Sequence, residues 1–199
     1  MFRKILVPLD GSELAEQALP YARRLAGTLG RLLLVRASSD DASAADVEDY
    51  LDGLANRLQQ DGAAAEWHLY CGPAAEAIGQ EASLQRADTV VMSTHGRSGV
   101  QRLMFGSVAE QVLHDAEMPV LLVPARTHTS WHPGMGQQVI IPLDGSPLAE
   151  AALDPAVILA GRLRAGLLLL GVVEPLALMS MGYQAFVPGQ FQATEEEVA

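Results

Sequence analysis

Apolar residues over the first 125 positions alternate between short unbroken runs and stripes at helical spacing. Ile5 to Val7 is a run closed by Pro8-Leu9-Asp10-Gly11-Ser12, which predicts a buried strand and its exit turn. Leu14, Ala18, Ala22, Leu25 and Leu29 then mark one face of a helix, and Leu32 to Val35 a second strand, together a βαβ unit. Val47, Leu51, Leu54 and Leu58 predict an amphipathic helix entered from the polar stretch Ser38 to Ser43. Trp67, Leu69 and Cys71 alternate as a strand, with Cys71 read as packed. Gly72-Pro73 ends that strand, and Ala74 to Leu84 suits a helix. Thr89 to Met92, Val108 to His114 and Val120 to Val123 complete the pattern as strand, helix and strand. Strands alternating with helices imply a parallel sheet covered on both faces.

Residues 126–138 lack either period and read as a linker between a first domain, 1–125, and a second unit, 139–199. Beyond the linker the chain repeats itself. Ile141-Pro-Leu-Asp-Gly-Ser146-Pro-Leu-Ala-Glu150 matches Val7-Pro-Leu-Asp-Gly-Ser12-Glu-Leu-Ala-Glu16, and Leu159-Ala-Gly161 matches Leu25-Ala-Gly27. Leu167-Leu168 is set against Leu33-Leu34 at the same offset. The copy has no counterpart of the last three strands, so it is expected to be an incomplete second domain. Pro175 to Gln192 is rich in Met, Gly, Pro and aromatics, and Thr194-Glu-Glu-Glu197 resembles a capping box.

Charge narrows the partners. With 13 basic and 24 acidic residues the net charge is −11, which disfavours a nucleic-acid or anionic-membrane surface. A small phosphate ligand stays open, because dipoles and local amides bind it inside a negative protein. Cys71 is the one cysteine, so neither an intrachain disulfide nor a cysteine zinc site forms. No apolar run approaches the roughly 20 residues of a membrane span. The first residues lack a secretory pattern, so a cytoplasmic location is expected.

The candidate chemistry lies after strands. Ala87-Asp-Thr-Val-Val-Met-Ser-Thr-His-Gly96 runs from an apolar strand into a glycine-bearing loop, and Gly106-Ser107-Val-Ala-Glu110 opens a helix. A helix start offers N–H groups and positive dipole to an anion. In a doubly wound sheet Asp10 and this loop belong to one end of the strands, where ligands bind. Gly96, Gly99 and Gly106 allow close backbone approach. Simpler roles exist for the same residues: Ser107 with Glu110 reads as a capping box, Ser12 and Ser146 as N-caps, and Asp10 and Asp144 as turn stabilisers. His95 stands in the loop without a triad partner, and His128 and His132 flank Trp131 in the linker without acidic neighbours.

Pro8-Leu9-Asp10, together with Ser93-Thr94-His95-Gly96, nine residues and Gly106-Ser107, resembles the universal stress protein family. The family pattern has glycine where this chain has Ser93. The resemblance implies a doubly wound α/β fold with a five-stranded parallel sheet, Rossmann-like and of the adenine nucleotide alpha hydrolase-like type, followed by an incomplete second copy. It also implies binding of ATP or a related adenine nucleotide with Mg2+. By analogy Asp10 meets the ribose, and Pro8, Ala37 and Met92 lie near the adenine. Ser93, Gly96, Arg97, Gly99, Gly106, Ser107 and Val108 contact ribose or phosphate, mostly through backbone amides, with Arg102 a further basic candidate. No nucleophile and base pair is evident, so the nucleotide is expected to regulate rather than to be turned over. The family also implies a homodimer through the edge strand Val120 to Val123. The alternative within the fold is a dimerisation or interaction module without nucleotide. An adenylating enzyme is a third class, for which the residues name no second substrate.

Overall fold

The computed structural model describes residues 2–38, 44–94, 105–124 and 137–171. The first unit runs β1 (Lys4–Pro8), α1 (Glu13–Glu16), α2 (Leu19–Ala26), β2 (Arg31–Ser38), α3 (Ala44–Gln60), β3 (Ala64–Cys71), α4 (Ala74–Leu84), β4 (Thr89–Ser93), α5 (Ser107–Asp115) and β5 (Val120–Val123). These strands form one parallel sheet in the order β3-β2-β1-β4-β5. Its middle strands are sealed on both faces, with Ile5, Leu6, Val7 and Leu32 to Leu34 fully buried. That is why they read as unbroken apolar runs rather than alternating ones. One face packs on α2 and α3 through Leu25, Leu51 and Leu54, and the other on α4 and α5 through Ile78, Ala82, Ala109 and Val112. Each large side chain so buried contributes about 1.5–3 kcal/mol.

Two local readings change. The helix expected from Leu14 to Leu29 is broken into α1 and α2, because Pro20, in the first turn of α2, has no N–H to give the Glu16 carbonyl. It also stops at Gly27, with φ +61, so Leu29 lies beyond it and is 84% exposed. Cys71 is exposed rather than packed, since it ends β3, the edge strand of the sheet.

The repeat forms β6 (Gln138–Leu143), α6 (Pro147–Glu150), α7 (Leu153–Leu163) and β7 (Gly166–Gly171), with β6 and β7 parallel. Val139 pairs with Leu167, whereas Ile5 pairs with Leu32, so the connection from β6 to β7 is one residue longer than that from β1 to β2. Leu167 therefore corresponds to Leu32, not to Leu33. Packing joins the two units: Leu163 of α7 is buried in the α2 and α3 side of the core, with Leu159 and Ala165 against it. Residues 125–136, with His128, Trp131 and His132, and residues 172–199, with the stretch Pro175 to Gln192 and the expected capping box at Thr194 to Glu197, lie outside the described residues.

Candidate functional site

The strand order reverses between β1 and β4, leaving a crevice at their carboxyl ends. A cavity of about 320 Å³ occupies it. From β1 and its exit turn come Pro8 and Asp10, from β2 Ala37, and from β4 Met92 and Ser93. Gly106, Ser107 and Val108 come from the start of α5. Eight of the eleven site residues expected from sequence thus line one cavity. Gly96, Arg97 and Gly99, with His95 and Arg102, lie outside the described residues.

Asp10 is held by its own turn. Its Oδ1 accepts hydrogen bonds from the Ser12 backbone N–H at 2.9 Å and the Ser12 hydroxyl at 2.6 Å, while Ser12 Oγ accepts from Ala15 N at 3.2 Å as the α1 N-cap. Gly11 has φ +81, which a residue with a Cβ rarely adopts. The second copy repeats the device: Asp144 accepts from Ser146 N at 2.9 Å, Ser146 caps α6 through Ala149 N at 3.1 Å, and Gly145 has φ +82. The Ser146 side chain and backbone N–H hold the exposed Asp144 carboxyl below its usual value. The turn is therefore structural in both copies. What distinguishes Asp10, among the described residues, is that the end of β4 and the start of α5 share its cavity.

The phosphate side rests on α5. Thr94 N–H donates to the Val123 carbonyl at 2.9 Å and the Gly106 N–H to the Thr94 carbonyl at 2.8 Å, which draws the two ends of the 95–105 loop together. The Gly106 amide is thus spent on closing the loop rather than offered to a ligand. Gly106 is the N-cap of α5 with no side-chain cap bond, so the expected Ser107 and Glu110 capping box does not form: Ser107 is the first helical residue. The first helical bond of α5 runs from Glu110 N to the Gly106 carbonyl at 2.9 Å. Helix geometry leaves the N–H groups of Ser107, Val108 and Ala109 without an intrahelical acceptor, at the positive end of the dipole.

Several lining residues escaped the sequence reading. Thr94 is 93% covered yet lines the cavity, and Ile78 and Ala74 of α4 form its apolar wall. The Gly72-Pro73 break that starts α4 was their signal. Arg36, the charge that follows the apolar run of β2, was also missed, and it stands beside the Asp10 turn. A Cβ on Gly11 would lie 2.5 Å from its Nη1, and its guanidinium stands 5.6 Å from the centre of the Tyr50 ring. Tyr50 donates its hydroxyl to Glu16 at 2.9 Å. Burial first, and then that bond, raise the Tyr50 pKa well above its ordinary value.

The model of the Universal stress protein family matches residues 1–124, the whole of the five-stranded unit. The chain belongs to the universal stress protein family. Among curated relatives it is 36% identical over 142 residues to a universal stress protein of Thermus aquaticus, covering 62% of this chain and 99% of that one. It is 30% identical over 142 residues to Universal stress protein MJ0531 of Methanocaldococcus jannaschii, covering 62% and 82%. A universal stress protein solved in complex with cAMP shares the fold at TM-score 0.53 and 24% identity, covering 62% of this chain and 97% of that one. A functionally unknown protein, PA1789 of Pseudomonas aeruginosa, shares the fold at TM-score 0.70 and 20% identity over 90% of this chain and 64% of its own.

Proposed function

We propose that this universal stress protein binds ATP or a related adenine nucleotide as a regulatory ligand in the cavity between β1, β2, β4 and α5. The observation that carries the reading is the convergence in one crevice of an apolar slot, a carboxylate and a helix start. Pro8, Ala37 and Met92 suit a base, Asp10 suits ribose hydroxyls, and the Ser107 and Val108 amides suit phosphate. The relative solved with cAMP, itself an adenine nucleotide, supports the class of ligand. Gly96, Arg97, Gly99 and Ser93 complete the proposed contacts. Among the described residues no group of three or more acidic, histidine or cysteine side chains could cage a metal. Mg2+ would therefore ride on the phosphates and water, as it commonly does, with Asp10 the carboxylate lining the cavity.

Calorimetric titration with Mg-ATP tests this, with Gly106→Asp as the control whose carboxylate faces the phosphates. Saturable binding lost in the variant is expected. No heat at several temperatures, with no copurified nucleotide, would overturn the reading and favour the interaction module. Incubation with ATP should yield neither AMP nor pyrophosphate beyond a slow background, as befits a ligand whose occupancy changes conformation or partner choice.

The same reading includes a homodimer through Val120–Val123. β5 is the edge of the sheet, and Val120 to Leu122 are only half-buried, which favours pairing with another strand. A monomer by light scattering at micromolar concentration would refute this part. No helix among the described residues is long and apolar enough to cross a membrane, and a cytoplasmic setting belongs to the proposal.

A further inference from the structure

We propose a second anion site, built by Arg23 and Arg24 of α2 with Arg162 and Arg164 of α7 and suited to a short polyphosphate. These four side chains border an open cleft of about 970 Å³ where the two units meet. It lies at the amino ends of the strands, since α2 and α7 lead into the starts of β2 and β7, a full strand length from the nucleotide cavity.

Charge is the first argument. The chain has twelve arginines and a net charge of −11, yet four of the twelve converge here. Arg23 bonds Asp61 at 2.9 Å, while among the described residues no carboxylate bridges Arg162 or Arg164. Gathering like charges is unfavourable unless an anion offsets them. One cation near each helix C-terminus suffices to complement the dipole. Two arginines from each helix exceed that need.

Backbone strain is the second argument. Arg164 closes α7 in the left-handed conformation, φ +53 and ψ +42, a place that glycine or asparagine usually takes. A strained non-glycine residue there points to a use for its side chain. The third argument is that the repeat does not carry the cluster. At the constant offset, Arg23 and Arg24 correspond to Val157 and Ile158, Arg162 corresponds to Thr28, and Arg164 lies in the stretch between Gly161 and β7 that carries one residue more than its counterpart. Each unit supplies its pair separately, and they meet only across the interface. Bare backbone at Gly27 makes room: a Cβ there would lie 3.2 Å from Arg162 Nη1. Guanidinium forks on two sides of an open cleft suit an extended chain of phosphates better than a single one.

Calorimetric titration of the whole chain with sodium tripolyphosphate, and with orthophosphate for comparison, tests the site. Tripolyphosphate should bind more tightly than orthophosphate, and Arg162→Gln and Arg164→Gly should each weaken it by about tenfold, the ordinary effect of one charge-assisted hydrogen bond. Arg164→Gly should melt at or above the wild-type temperature, because glycine takes the left-handed turn without strain, and should bind Mg-ATP as the wild type does. Absence of tripolyphosphate binding, or equal affinity in the variants, would overturn the proposal. So would a lower melting temperature in Arg164→Gly, which would make Arg164 a helix stop, or a parallel loss of Mg-ATP binding, which would deny a separate site.

Discussion

Ser107→Pro separates a phosphate-binding helix start from a merely structural one. Ser107 is the first residue of α5, where helix geometry gives its N–H no internal acceptor and proline is favoured. The preceding Gly106 has φ −62 and ψ 151, the extended conformation that a residue before proline adopts. The substitution should therefore leave the fold intact while deleting one N–H and one hydroxyl from the cavity. A hydrogen bond to a charged group is worth about 1.5–3 kcal/mol. At 1.4 kcal/mol per decade, that weakens Mg-ATP binding by about ten- to a hundredfold. Ser107→Ala, which keeps the N–H, should lose only a few-fold. Calorimetry supplies the affinities and thermal melting checks the fold. Wild-type affinity in a Ser107→Pro protein with an unchanged melting temperature would refute phosphate binding at the start of α5.

Gly30→Ala should lower stability by about 2 kcal/mol or more, because its Cβ would lie 2.6 Å from the Ala26 carbonyl oxygen and 2.8 Å from the Ala26 Cα, both backbone. Gly53→Ala, in the middle of α3 with nothing within 4 Å of the new Cβ, should instead stabilise by up to about 1 kcal/mol. Chemical denaturation of the pair checks both signs. Ser12→Ala and Ser146→Ala should each cost about 1 kcal/mol as lost N-caps, and Ser12→Ala should also weaken Mg-ATP binding, because the Ser12 hydroxyl helps orient Asp10. Tyr50 should ionise late in an alkaline titration followed at the tyrosinate absorbance, and Tyr50→Phe should remove that late phase. Its folded pKa is raised, so its contribution to stability is whole below the ordinary value of 10.0 and lost as pH climbs toward the folded value.

The central strands β1, β2 and β4 were legible because they are buried on both faces, which demands unbroken apolar runs such as Ile5 to Val7 and Leu32 to Val35. The turn chemistry was legible for a similar reason. Asp10, Gly11 and Ser12 form a local motif whose bonds span only two or three residues, and its copy at Asp144 folds alike. Ser107 and Glu110 were not. A serine three residues before a glutamate fits a capping box, but closure of the 95–105 loop by Thr94 moves the cap to Gly106. Cys71 was misread because alternation cannot say which strand is an edge.

Taken alone, the sequence determined most of the elements, the family, and eight of the residues that line the crevice, because each depends on apolar period, turn chemistry or a motif read within a few residues. The tertiary structure decided what those residues do with their bonds. The amide of Gly106 closes a loop, Asp10 rather than Asp144 shares a cavity with β4 and α5, and Arg36 lies beside Gly11. Two pairs of arginines more than a hundred residues apart in the chain meet only because α7 packs on α2. Local sequence carries local conformation, whereas a site built from strands and helices far apart in the chain exists only once their packing brings them together.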